Sequence, residues 1–229
     1  MALAYKVKFL LLFLSVLASL LVYGWAFGWR FAVGFVLLLG IHELGHALAI
    51  RRRGMKASLP VFIPFLGAVI GLRQQPRDAA EEAYIGIAGP LFGLAATLVY
   101  WGLAVGLRSP LLAVLAETGF FLHVFNLLPV APLDGGRTVA FLRAKAWIPG
   151  FMALMAAMFY NPFARSFTFD PVALVILALV GSQLVRRLRN PAAASYDAIG
   201  PRARWGYGVL WLGLLALSVF GMLHVSLAA

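Results

Sequence analysis

Residues 30–50 read RFAVGFVLLLGIHELGHALAI. The twenty residues from Phe31 to Ile50 contain one charged side chain, Glu43, between Arg30 and Arg51. A run of about 20 apolar residues is the length that crosses the hydrocarbon of a bilayer as a helix. Glu43 and the two histidines beside it, His42 and His46, interrupt that run. Polar and ionisable groups at membrane depth are expensive and mark functional positions. On a helix, residues four apart share one face, so His42 and His46 can aim their imidazoles at one ion. Glu43 sits one residue along, where a carboxylate can reach a water bound to that ion and act as general base.

The same apolar texture extends outward. Further candidate spans lie at about 9–27, 84–106, 110–130, 146–164, 171–187 and 205–227. The first apolar run is too long for a signal peptide and has no small-residue cleavage pattern, so it reads as an uncleaved span. Of the 229 residues, 63% are hydrophobic and 12% charged, against about 45–50% and about 25% in soluble domains. The composition therefore predicts an all-α polytopic membrane protein with about six or seven transmembrane helices. We expect one integral membrane domain over 1–229, with a core at about 30–145, C-terminal helices at 146–229 and no appended soluble domain.

The net charge of +11 is concentrated in the gaps between apolar runs. With the N-terminus inside, 16 Lys and Arg fall on the cytoplasmic side and only Arg30, Arg108 and Arg165 outside. That asymmetry is the positive-inside signal. It predicts lipid contact, with no nucleic acid as partner. Arg51, Arg52 and Arg53 read as a topology anchor.

The segment 57–72, ASLPVFIPFLGAVIGL, is apolar but too punctuated for a span. Pro60, Pro64, Gly67 and Gly71 oppose helix, whereas Val61, Phe62, Ile63, Val69 and Ile70 favour strand. It predicts a small membrane-associated β-hairpin or re-entrant element on the cytoplasmic side. Irregular backbone at membrane depth must be buried in protein or line a wet cavity.

With no cysteine in the chain, any metal is held by His, Asp or Glu. Zinc suits imidazole and carboxylate, and a catalytic zinc takes three protein ligands. The candidate third ligand is Asp134, in Asn126-Leu-Leu-Pro-Val-Ala-Pro-Leu-Asp134-Gly-Gly-Arg137. Pro129 and Pro132 end the fourth span, and Gly135–Gly136 permit a reversal that swings Asp134 back. The second and fourth spans run in the same direction. His46 then lies about 7 Å from the cytoplasmic helix end at 1.5 Å per residue, a depth that Asp134 can share.

HELGH in an early span followed by FNLLPVAPLDGGR resembles the site-2 protease family of intramembrane metalloproteases, whose signatures are HExxH and a run ending in LDG. VFIPFLGAVIGLRQQPRDAAEEAYIGIAGPLFG is similar to the hairpin and third-helix region of small prokaryotic members without PDZ or CBS domains. The resemblance covers about Val33 to Arg143. It implies His42, His46 and Asp134 as ligands of one zinc ion per chain, Glu43 as the catalytic base, and Asn126 as a residue that helps hold substrate or intermediate. It further implies hydrolysis of a peptide bond in or near the transmembrane segment of a single-span membrane-protein substrate, at an active site facing the cytoplasm of a prokaryotic cell membrane.

Two other readings compete. A membrane HExxH protease with Glu as third ligand would draw on Glu81 or Glu82 and leave the LDG run unexplained. A metal or ion transporter usually shows repeated halves, and none is visible. Four further features call for a role. His123 departs from the residue expected in relatives; it either supports the ligands or packs. Glu117 suggests a gate, a polar path or a pair with Arg108. His224 suits the membrane interface. Gly86, Gly89 and Gly93 form a small-residue stripe suited to close helix packing, with a kink at Pro90.

Overall fold

A computed structural model describes residues 2–65, 67–71, 74–142, 144–161, 166–167, 171–189 and 199–225. The helices are α1 (Ala2–Phe27), α2 (Trp29–Arg52), α3 (Ala79–Leu107), α4 (Pro110–Asn126), the short α5 (Asp134–Thr138), α6 (Trp147–Phe159), α7 (Pro171–Arg189) and α8 (Pro201–Val225). Two small antiparallel pairs accompany them, β1 (Val61–Ile63) with β2 (Gly67–Val69), and β3 (Tyr160–Asn161) with β4 (Ser166–Phe167). Four helical stretches, Lys6–Phe27, Trp29–Arg52, Ala79–Leu107 and Pro201–Val225, are long and apolar enough to cross a membrane.

Helix boundaries follow local chemistry. Gly28, at φ 88°, separates α1 from α2, and Gly54, at φ 68°, follows the end of α2. Both conformations favour a residue without Cβ. At the start of α3, Asp78 accepts a hydrogen bond from the Glu81 amide (2.8 Å), and the Glu81 carboxylate accepts one from the Arg77 amide (2.8 Å). This reciprocal capping satisfies donors that the first helical turn leaves orphaned. Pro110 opens α4, where its missing amide costs nothing.

The fifth expected span, 146–164, is shorter than its apolar run. A 3-10 turn at Ala144–Ala146 leads into α6, whose 13 residues stop at Phe159 before the β3 pairing. At 1.5 Å per residue, α6 is about 20 Å long. The sequence accounts for the stop: Pro162 biases Asn161 away from helical conformation.

The chain divides into two compact units, one of Met1–Gln75, Ala88–His123 and Ala216–Ala229, the other of Pro76–Ile87 and Val124–Leu215. In the first, Tyr23, Ala32, Val36, Leu39 and Phe62 form a buried cluster that seats the hairpin on α1 and α2. In the second, Val130, Trp147, Leu154, Leu177, Val180 and Leu184 pack α6 and α7 under the loop that follows α4.

The expected hairpin is present, in the register Val61↔Val69, Phe62↔Ala68 and Ile63↔Gly67. Its turn carries Phe65 at φ 64° and Gly67 at φ 92°. Two hydroxyls of α1 hold it: the Phe62 amide donates to Ser15 Oγ (3.2 Å) and the Phe65 amide to the Tyr23 hydroxyl (2.9 Å).

Candidate metal centre

His42, Glu43 and His46 lie on the buried face of α2, at 3%, 6% and 5% exposure. The two Nε2 atoms are 3.3 Å apart. Two nitrogens each bonded at about 2.0–2.1 Å to a tetrahedral zinc stand about 3.3 Å from one another. The spacing of the imidazoles is thus the spacing that a shared ion requires. With an ion there, each ring would hold its proton on Nδ1 and offer Nε2 as the ligand atom.

Glycines make room for these rings. A Cβ on Gly89 would stand 2.1 Å from His46 Nε2, and one on Gly93 would stand 3.1 Å from His42 Nδ1 and 2.5 Å from His123 Cε1. Across the same seam, a Cβ on Gly45 would fall 2.4 Å from the Ala88 carbonyl oxygen. The Gly89 and Gly93 positions that the sequence assigns to close helix packing therefore do something more specific. They let the backbone of α3 approach the imidazoles, where any side chain would occupy their place.

His123, fully buried on α4, stacks on His42 with ring centroids 5.7 Å apart and planes 11° from parallel. Its Nε2 lies 3.3 Å from Thr97 Oγ1, which also bonds the Gly93 carbonyl (3.0 Å). A ring held this way restricts the orientation of His42. Sequence reasoning noted His123 but had no signal for the stack, which joins residues 81 positions apart.

Asp134 is presented by a different device. After Asn126, at the end of α4, the chain makes turns through Pro129 and the cis Ala131–Pro132 bond and enters α5 at Asp134. Gly135 and Gly136 make this possible, since a Cβ on either would fall 2.2 Å from the Leu127 carbonyl oxygen or 2.4 Å from the Ala131 nitrogen. Thr138 Oγ1 closes α5 onto the Asp134 carbonyl (2.7 Å), and the Trp211 indole donates to the Leu127 carbonyl (2.8 Å). A Cβ on Gly86 would meet Arg137 Cβ and the Thr138 nitrogen at 2.9 Å, so this glycine seats α5.

One ligand atom each from His42, His46 and Asp134 lie within 4.8 Å of one another, a group that could hold one metal ion. Two imidazoles and a carboxylate, with no thiolate, form a donor set that fits zinc. Of the alternative third ligands Glu81 and Glu82, Glu81 is engaged elsewhere: Arg77 Nη2 reaches its carboxylate at 2.9 Å, and its oxygens also accept from the Arg77 amide. That ion pair and the Asp78 carboxylate hold the Arg77 guanidinium above its ordinary pKa, the Glu81 hydrogen bond first among the causes.

Part of the chain is similar to known proteins. Residues 30–109 match Peptidase family M50. The protein named zinc metalloprotease Rip3 from Mycobacterium tuberculosis is 37% identical over 127 residues, covering 51% of this chain and 31% of its own length. Zinc metalloprotease MJ0392 of Methanocaldococcus jannaschii is 33% identical over 124 residues, covering 51% of this chain and 36% of its own length. Stage IV sporulation protein FB of Bacillus subtilis is 32% identical over 118 residues, 48% of this chain and 39% of that protein. The matched region thus spans 31–39% of the length of these relatives. The solved site-2 protease from Methanocaldococcus jannaschii aligns over 97% of this chain and 88% of that one at 21% identity, with a TM-score of 0.43, too loose a likeness to carry the fold. Beside its HELGH and LDGG motifs, the chain thus has four helices long and apolar enough to cross a membrane among its described residues, and a stretch, residues 30–109, that is similar to Peptidase family M50.

Proposed function

We propose that this protein is an intramembrane zinc metalloprotease that hydrolyses a peptide bond in or near the transmembrane segment of a membrane-protein substrate. The observation that carries the reading is the buried Nε2 pair of His42 and His46, 3.3 Å apart on one helix turn, with Glu43 buried between them in sequence. His42, His46 and Asp134 are the proposed ligands. Zinc bound there would polarise the scissile carbonyl and acidify the attacking water.

The chain's own residues supply the rest. Glu43 takes the proton of the attacking water and passes it to the departing amine, so one carboxylate serves first as base and then as acid. Asn126 is proposed to donate its amide to the substrate beside the scissile bond. A helical substrate hides its carbonyls in its own hydrogen bonds, so it must unwind to be cut, and the hairpin offers the unwound segment a strand to join. The register favours β2 as that edge. The Phe62 amide points away from β2 toward Ser15, so the outward edge of β1 is covered. Because strand amides alternate, Ala68, opposite Phe62, directs its N–H and carbonyl away from β1.

The charge distribution supports an N-terminus and active site toward the cytoplasm, and the proposal keeps six or seven spans with a catalytic core at about 30–145 in one membrane domain. The test is zinc content beside cleavage of single-span substrates in liposomes. Purified protein is expected to hold one zinc, lost in His46→Ala and Asp134→Ala. Glu43→Gln is expected to keep the metal and lose proteolysis. Zinc retained in both ligand variants, or brisk cleavage by Glu43→Gln, overturns the reading.

A further inference from the structure

Glu117 has no part in this chemistry, and its position is unusual. It is the only Asp, Glu, Lys or Arg in α4, seven residues past Pro110, or about 10 Å along the axis. The buried face of α4 holds Ala113, Leu115, Ala116, Gly119, Phe120 and His123. Its exposed residues through Phe121 are Pro110, Val114, Glu117 and Phe121, at steps of four, three and four. Those steps trace one stripe along a helix, with Val114 48% and Phe121 58% exposed on either side of the acid. The pairing with Arg108 that the sequence suggests does not form. Among the described residues, Glu117 has neither an ion pair nor a side-chain hydrogen bond.

A carboxyl displayed on an apolar helical stripe is costly against lipid unless a polar partner meets it. The chain itself offers no complement. No Lys or Arg lies between Lys8 and Arg30, Arg30 and Arg51, Arg77 and Arg108, Arg108 and Arg137, or beyond Arg204. A second copy has no cation within these apolar runs, and a two-fold contact through the same stripe sets one Glu117 against another. We infer that the Pro110–Phe121 stripe of α4 docks a foreign transmembrane helix carrying a lysine or an arginine at the depth of Glu117. This inference rests on the protease reading, in which that helix is the substrate before it unwinds, held by its side chains rather than its backbone.

Because the chain lacks cysteine, the test uses single introduced cysteines in the full-length Glu43→Gln protein, so that docking is seen without cleavage. The probes are synthetic host helices of about 20 Leu and Ala residues, with Lys, Leu or Glu at one inner position and a cysteine one turn away. In liposomes, Val114→Cys is expected to form disulfides with the Lys host on the order of tenfold more than with the Leu host, the scale of an interhelical polar contact, and least with the Glu host. Adding Glu117→Gln is expected to remove the preference, and Glu117→Lys to invert it. Equal cross-linking of the three hosts overturns the inference, as does a Lys preference that survives Glu117→Gln. Val114→Cys dimers that exclude the hosts show a second copy on this face. Ready labelling of Glu117→Cys by a water-soluble maleimide, undiminished by the Lys host, shows a wet path instead. Cleavage of the same hosts with Glu43 restored is read separately, so a lysine preference without proteolysis leaves the docking face standing and removes the substrate as its occupant.

Discussion

The two halves of the candidate centre solve the problem of aiming a ligand in opposite ways. His42 and His46 need only the 3.6-residue period of α2, which runs unbroken from Trp29 to Arg52. Asp134 depends on an irregular path through Pro129, Pro132, Gly135 and Gly136, with backbone packed on backbone. Regular structure thus sets the histidine pair cheaply, while the aspartate depends on a turn that has no slack. The lesson is that equal disturbances should have unequal consequences. Crowding the histidines should cost metal; crowding the aspartate's turn should cost the fold as well.

Gly136→Ala is expected to do the most damage. Its Cβ meets the backbone of Val130 and Ala131, which cannot swing aside, so we expect loss of zinc and of cleavage together with about 1–3 kcal/mol of stability. Thermal unfolding in detergent beside metal analysis reads both. Gly89→Ala should remove zinc and activity with little change in melting, because its Cβ meets the ring of His46, a side chain that can turn away. A large loss of stability there would erase the proposed contrast. Asp134→Asn should leave the turn intact and weaken zinc by on the order of a hundredfold or less, since a neutral amide is a poor substitute for a carboxylate ligand. Chelator competition measures this, and unchanged affinity would take Asp134 out of the donor set.

The hairpin yields smaller effects. Ala68→Pro removes one outward amide from β2 and is expected to slow cleavage about tenfold with full zinc, the scale of one lost hydrogen bond. Val61→Ile changes an exposed side chain on β1 and should be nearly silent. Indifference to proline at Ala68, coupled with sensitivity to charge at Val61, would mark the hairpin as a membrane-surface loop.

Much of this was legible before any coordinates. The histidine pair needs only local periodicity, and the hairpin announces itself through Pro60, Pro64 and Gly67 in an apolar run. Asp134 was legible through its turn residues and its family signature, because neither spacing nor composition reports which distant segment returns to α2. What could not be read depends on what lies opposite. Glycines four apart fit a packed helix or a recess for an imidazole equally well, and only the facing side chains of His42, His46 and His123 distinguish the two. The stack of His123 on His42 is likewise invisible to any short window. The short α6 was missed because hydropathy counts apolar residues without asking where the backbone stops. Glu117 was noticed, but its exposure is a property of the packed helix.

The two hydroxyl bonds from α1 to the hairpin have a mechanical consequence. Most of the α1 surface is uncovered by protein, with Phe9, Phe13 and Trp25 at 61%, 63% and 90% exposure, so its tilt answers to the lipid around it. Ser15 and Tyr23 fasten that helix to β1 and to the turn at Phe65. On the proposed function, a helix without chemistry of its own would couple bilayer thickness to the strand edge, and cleavage is expected to vary with acyl-chain length until Ser15→Ala with Tyr23→Phe disconnects the two.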